Sequence, residues 1–151
     1  MKKDDKKYKW YLYKVQNRDK YLAHKIPVCR SKWEYSFCEF LDTNKNILKW
    51  SIEPFAIPYF SSTTRTNRNY FPDFYVLDNN KKTYIVEVKP FRETKKPKVS
   101  KTKKKTTLIY EQKTYMTNLS KWEAAQIFCE KKGWEFFILT EKNRFKEFKI
   151  P

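Results

Sequence analysis

The stretch Tyr70-Phe71-Pro72-Asp73-Phe74-Tyr75-Val76-Leu77, a polar break at Asp78-Asn79-Asn80-Lys81, and then Thr83-Tyr84-Ile85-Val86-Glu87-Val88-Lys89 decides how the chain is read. Two apolar runs separated by turn residues predict a β-hairpin, because Asn and Asp tolerate the left-handed backbone that tight turns use. Alternate residues of a strand share a face, so Glu87 and Lys89 point the same way as Ile85, and Tyr84, Val86 and Val88 point the other way. A charged pair therefore falls inside a strand that otherwise reads as buried. If the two runs pair, Asp73 approaches Glu87, and two carboxylates about 4 Å apart at an effective dielectric near 20 repel by about 4 kcal/mol. A divalent cation held by oxygen ligands, as Mg2+ prefers, removes that penalty and supplies Lewis-acid chemistry.

The composition fits one compact domain built on an aromatic core. Phe, Tyr and Trp make up 19% of the 151 residues, enough large rings to bury a core despite a charged fraction of 34%. Lys and Arg number 34 against 17 Asp and Glu, a net charge of +17 that favours a polyanionic partner, of which nucleic acid is the simplest. No apolar run approaches the roughly 20 residues that span a bilayer, so no membrane association is expected. The basic segment 1–9 reads as a flexible tail without the apolar stretch of a signal peptide, which predicts an intracellular protein. Cys29, Cys38 and Cys129 are scattered, without the close pair that opens a zinc ligand set, and read as reduced thiols. His24 is the only histidine; it reads as a surface residue, against His-ligated zinc and His-assisted nucleophiles.

Along the chain, Trp10 to Pro27 shows no clear period and is expected to pack irregularly on the core. Ser31 opens a helix through about Asp42, with Glu34 completing a capping box and Trp33, Phe37, Phe40 and Leu41 forming an apolar stripe. Ile47 to Ser51 and Phe55 to Phe60 read as short strands, and Ser61 to Asn69 as a polar loop carrying Arg65 and Arg68. After the hairpin, residues 91–106 form a lysine-rich insert, expected as an exposed basic loop. A helix from about Thr107, in one or two pieces, runs to a C-cap at Gly133, and Trp134 to Thr140 is a strand. Domain residues 10–151 thus follow the basic tail, with the order helix, antiparallel strands, helix, strand: an α/β architecture with an αβββαβ core and a mixed sheet flanked by helices.

Pro72, Asp73, Glu87, Val88 and Lys89 resemble the motif of the PD-(D/E)XK, or restriction-endonuclease-like, nucleases, which share this core order. The short motif also occurs in proteins that cleave nothing. In that fold the first helix contributes an acid to the metal site; Glu34 matches it, and Glu39 is the weaker candidate. A longer resemblance runs from about Trp10 to Glu141. Arg30-Ser31-Lys32-Trp33-Glu34, Phe40-Leu41-Asp42, Trp50 with Glu53 and Ile57-Pro58-Tyr59, the two motif runs, and Lys121-Trp122-Glu123-Ala124-Ala125 with Gly133-Trp134-Glu135-Phe136 are similar in order and spacing to the head-completion nucleases of contractile-tailed phages. The lysine-rich insert and the basic N-terminus depart from that family.

The resemblance implies hydrolysis of DNA during completion of a filled head before tail attachment, in the host cytoplasm, with phage portal or neck proteins as possible partners. It implies a Mg2+ ion, with Mn2+ as a substitute, held by Asp73 and Glu87, by the Val88 carbonyl, and by Glu34 directly or through water. Lys89 then places positive charge beside the attacking water and the scissile phosphate. Arg65, Arg68, Lys101, Lys103, Lys104 and Lys105 fit sequence-independent backbone contacts, and Lys121 is a candidate for orienting a phosphate. Three other readings stay open: a head-completion or neck scaffold that binds DNA without cutting it, a junction-resolving endonuclease, and an RNA-binding module, though no recognisable RNA motif is present.

Spread over many lysines, the charge predicts electrostatic, sequence-independent DNA binding. Measured with a cleavage-dead variant, log K against log salt should fall with a slope of roughly −4 or steeper, since each neutralised phosphate contributes about −0.9. A flat dependence would assign the charge to another partner.

Overall fold

The computed structural model describes residues 10–143. In chain order these form β1 (Tyr11–Leu12), β2 (Val28–Cys29), α1 (Lys32–Thr43), β3 (Ile47–Ile52), β4 (Ile57–Ser61), β5 (Thr66–Tyr70), β6 (Phe74–Asp78), β7 (Thr83–Val88), a 3-10 turn (Phe91–Thr94), α2 (Lys105–Lys132) and β8 (Glu135–Leu139). The central sheet has the order β3-β6-β7-β8. Its first two pairings are antiparallel, and the last, β7 with β8, is parallel after the crossover through α2. With α1 leading into β3, this is the mixed sheet and helix order expected from the sequence.

The motif hairpin forms with Phe74 opposite Val86 and Leu77 opposite Thr83. Its first strand is shorter than Tyr70 to Leu77: Tyr70 ends β5, and residues 71–73 cross to β6. Pro72 sits in that crossing, where its missing N–H removes no ladder bond. The turn also differs from expectation, because the left-handed residue is Lys81 (φ 65°) and neither Asn takes that conformation. Asp78 Oδ1 accepts from the backbone N–H groups of Asn80 and Lys82, both at 2.9 Å, and so organises the loop from one end.

Ser61 to Asn69 is only partly loop. Thr66–Tyr70 pairs along β4, from Ser61 opposite Thr66 to Ile57 opposite Tyr70, and makes a separate two-stranded sheet. The strand hides from sequence patterning because every side chain in it before Tyr70 is exposed, leaving no apolar alternation to read. Ile57, Tyr59 and Tyr70 pack this hairpin onto Ala125 of α2. The helix α2 is a single 28-residue piece that starts at Lys105, so Lys105 is helical and the irregular part of the insert ends at Lys104. Gly133 (φ 71°) closes it, its N–H donating to the Cys129 and Glu130 carbonyls. Among the described residues no helix is long and apolar enough to cross a membrane.

The core lies between α1 and the sheet. Phe37, Cys38 and Leu41 are wholly buried, and the Phe37 ring meets Phe74 edge-on with centroids 4.8 Å apart. The aperiodic segment after Trp10 is tied down by Tyr13 and Tyr21, which pack on Trp50, and by the Leu22 N–H to Trp50 carbonyl bond. Cys29 and Cys38 are buried free thiols with their sulfurs 3.5 Å apart; Cys129 is also buried and free. Asp42, fully buried, accepts from the Tyr13 hydroxyl (2.6 Å) and the Gln16 and Asn17 N–H groups (2.8 and 3.1 Å).

Removing that carboxylate strands three donors. Asp42→Ala should therefore destabilise the fold by about 3 kcal/mol or more in thermal or urea unfolding, at the scale of breaking a buried charged network. A loss under about 1 kcal/mol would show that water replaces it.

Candidate active site

The hairpin register carries Asp73, one residue ahead of β6, to the position facing Glu87. Asp73 Oδ2 accepts from the Val88 N–H at 2.8 Å, and its carbonyl accepts from the Glu53 N–H at 2.9 Å. Glu87 is 6% exposed. Its Oε2 accepts from the Tyr70 hydroxyl, and its Oε1 lies 3.9 Å from Lys89 Nζ. Lys89 follows β7 and is held by its N–H to the Leu139 carbonyl, which continues the ladder with β8. Glu34, in the first turn of α1, and Lys121, midway along α2, complete the wall.

These residues line one cavity of about 450 Å³ together with Arg30, Glu53, Asn69, Tyr70, Phe71 and Val88. A larger groove of about 570 Å³ between β4 and α2 is lined mainly by Ile57, Phe60, Ala124, Ile127 and Phe128 and gathers no comparable set of reactive groups. The acids and lysines singled out by the motif gather in the smaller one.

Burial raises the proton affinity of Asp73 well above the usual carboxylate range, and the charges of Glu87 and then Glu34 add to it, against the Val88 N–H and Lys89. Glu87 is raised by burial in spite of the Tyr70 hydroxyl, Lys89 and Lys121. Glu34 is raised by burial, opposed by the backbone N–H and the charge of Arg30. Lys121 is shifted down by burial; Glu87 opposes that shift, while Lys89 and Arg68 reinforce it. The cavity therefore gathers three acids whose charged forms burial disfavours, beside a lysine whose charge is disfavoured by burial and by neighbouring cations.

Of the residues singled out in the sequence, Glu34, Asp73, Glu87, Val88, Lys89 and Lys121 meet here. Arg68 lies on β5, close enough to Lys121 to disfavour its charge. Arg65 is at the β4–β5 turn, in left-handed backbone (φ 54°). Lys101, Lys104 and Lys105 are exposed away from the cavity, and Lys103 is already engaged by Glu111 at 2.7 Å and the Lys98 carbonyl at 2.9 Å. Glu39 is exposed on α1 and does not line the cavity.

The capping box is displaced by one residue. Ser31 Oγ accepts from the Glu34 N–H (3.1 Å), but Glu34 Oε2 accepts from the Arg30 N–H (3.0 Å), not from that of Ser31. Sequence reasoning missed Tyr70, Arg30 and Glu53 as cavity residues. Glu53 has φ 41° and pairs with Arg30 at 3.3 Å, a conformation and a partner with no local signal in the chain beyond the following Pro54.

Among the described residues no group of three or more His, Cys, Asp or Glu side chains could by itself hold a metal ion. Asp73 and Glu87 are a pair, with Glu34 on the same cavity wall. An acid at the entry to one core strand, Glu-Val-Lys at the end of the next, and a parallel strand added after a crossover helix define a restriction-endonuclease-like nuclease domain. The TnsA-like endonuclease N-terminal family matches residues 44–141, which include Asp73, Glu87 and Lys89 and begin after α1. The head completion nuclease of Enterobacteria phage T4 is 40% identical over 115 residues, covering 74% of this chain and 77% of that protein. The chain belongs to the head-completion nuclease family.

A carboxyl whose proton affinity is raised by folding stabilises the fold when protonated, and that contribution is lost as pH rises from its unfolded value, about 4, through the folded one. In chelator at pH 7, Asp73→Asn keeps an acceptor for the Val88 N–H and loses the repulsion. It should melt about 3 °C or more above the wild type, the equivalent of ~1 kcal/mol, with the gap closing toward pH 4. A lower midpoint would show that the charge is compensated.

Proposed function

We propose that the chain is a Mg2+-dependent deoxyribonuclease whose Glu34, Asp73, Glu87 and Lys89 hydrolyse phosphodiester bonds of DNA during completion of a DNA-filled phage head. The observation that carries this is half-buried Asp73 facing buried Glu87, with Lys89 Nζ 3.9 Å from the Glu87 carboxylate. Two carboxylates are kept together, at a cost in stability, where a scaffold gains nothing from them. The donor set fits the ion: carboxylate oxygens and the Val88 carbonyl are hard ligands, and Mg2+ commonly takes one or two carboxylates and keeps several waters, so a protein cage of three is not required. Asp73, Glu87 and Val88 would hold it, with Glu34 directly or through water, and Mn2+ could substitute. When bound, the ion supplies charge relief to the phosphate and activation of a water.

The remaining work belongs to side chains. Lys89 Nζ, 3.9 Å from Glu87 Oε1, would stabilise the charge that develops beside the attacking water and the scissile phosphate. Lys121, whose charge is disfavoured by burial and by Lys89 and Arg68, would orient a phosphate. Arg68 on β5 and Arg65 at the β4–β5 turn would extend the contact, as would Lys101 and Lys104 in the insert and Lys105 at the start of α2, without reading bases. Lys103 contributes less because Glu111 already neutralises it. Partners at the portal or neck, and action in the host cytoplasm during assembly, belong to this reading and are supported by the likeness to a head completion nuclease.

The test is cleavage of linear, circular, single-stranded and branched DNA with Mg2+ or chelator. Asp73→Ala and Glu87→Ala should fold and lose about 100-fold or more in rate, and Glu34→Gln should fold and cut poorly. Undiminished cutting in excess chelator would overturn the metal dependence, and a fully active Glu87→Ala the site.

A further inference from the structure

Tyr70 opens the first motif run, where the motif gives it no role in the site, and it joins the two halves of the site. It is 4% exposed, with its ring in the cluster of Ile57, Tyr59 and Ala125 that seats the β4–β5 hairpin on α2. Its hydroxyl leaves that cluster to donate to Glu87 Oε2. A buried phenol needs an acceptor, and a backbone carbonyl would serve; here the acceptor is a carboxylate of the cavity. The same ring lies under Lys121, with Nζ 5.9 Å from its centroid. The two oxygens of Glu87 are thereby made different. Oε2 is tied to the protein interior, and Oε1 is on the side of Lys89, 3.9 Å from its Nζ.

We propose that Tyr70 is a positioning residue: its hydroxyl fixes the Glu87 carboxylate so that Oε1 is presented to a divalent cation, while its ring keeps Lys121 beside the same carboxylate. This rests on the metal-dependent reading above. Glutamate has freely rotating bonds whose ordering opposes ligation, and a hydrogen bond made before the ion arrives removes part of that cost. Groups that orient a metal ligand in this way typically change metal affinity by about 10–100-fold when removed.

Mn2+ binding to the whole chain without DNA, followed by the paramagnetic resonance signal of free Mn2+, separates this from a tyrosine that merely fills the core. The proteins compared are the wild type, Tyr70→Phe and Glu87→Gln, each with a thermal midpoint. Tyr70→Phe retains the ring, so it should stay folded and bind Mn2+ about 10-fold or more weakly. Wild-type Mn2+ affinity in Tyr70→Phe, with Glu87→Gln impaired, would overturn the role of Tyr70 and leave the metal site standing. Absence of Mn2+ binding by the wild type, or unaltered binding by Glu87→Gln, would overturn both. An unfolded Tyr70→Phe would also overturn the proposal, since the hydroxyl would then be holding the fold rather than the carboxylate.

Discussion

The bond from the Val88 N–H to Asp73 Oδ2 is the contact on which the rest of the site depends. It crosses from the entry of β6 to the end of β7, so it can form only in the register that pairs Phe74 with Val86. A slip of one residue would turn Glu87 to the opposite face of the sheet and leave Asp73 without its donor. Strand pairing and site assembly are thus one event. The Asp73 carbonyl extends the constraint to Glu53, whose N–H it accepts, and so ties the segment after β3 to the same point.

Acids in this chain are divided by their donors. Asp42 is buried with three hydrogen bonds and Asp78 with two backbone N–H groups, and both are spent on the fold. Glu87 is buried and Asp73 half-buried, each with fewer backbone donors, and the charge of Glu87 raises the proton affinity of Asp73. A carboxylate supplied with hydrogen bonds is a structural element; one deprived of them retains the capacity to bind something else.

Basic residues divide similarly. Lys103 is consumed by Glu111 and Lys82 by Glu135, so formal charge overstates what a polyanion meets. Lys89 and Lys121 line the cavity with the carboxylates, and Lys89 and Arg68 disfavour the charge on Lys121.

The sequence by itself determined the hairpin, the first helix, the late helix with its glycine cap, the closing strand, and the acids and lysine of the motif. Each is written in periodicity, turn chemistry or capping, which act within a few residues. It did not reveal β5, because a strand with exposed polar side chains on both faces carries no period; its pairing comes from β4 and the packing of Tyr70 against α2. It could not show that Glu34 bonds Arg30, that Lys103 is neutralised, or that Tyr70 reaches Glu87 across a separation of 17 residues. Arg30 and Glu34 are four residues apart and Lys103 and Glu111 eight, yet neither pairing has a local pattern to read; Tyr70 and Glu87 lie on different strands, and only the tertiary structure decides which side chains share a cavity.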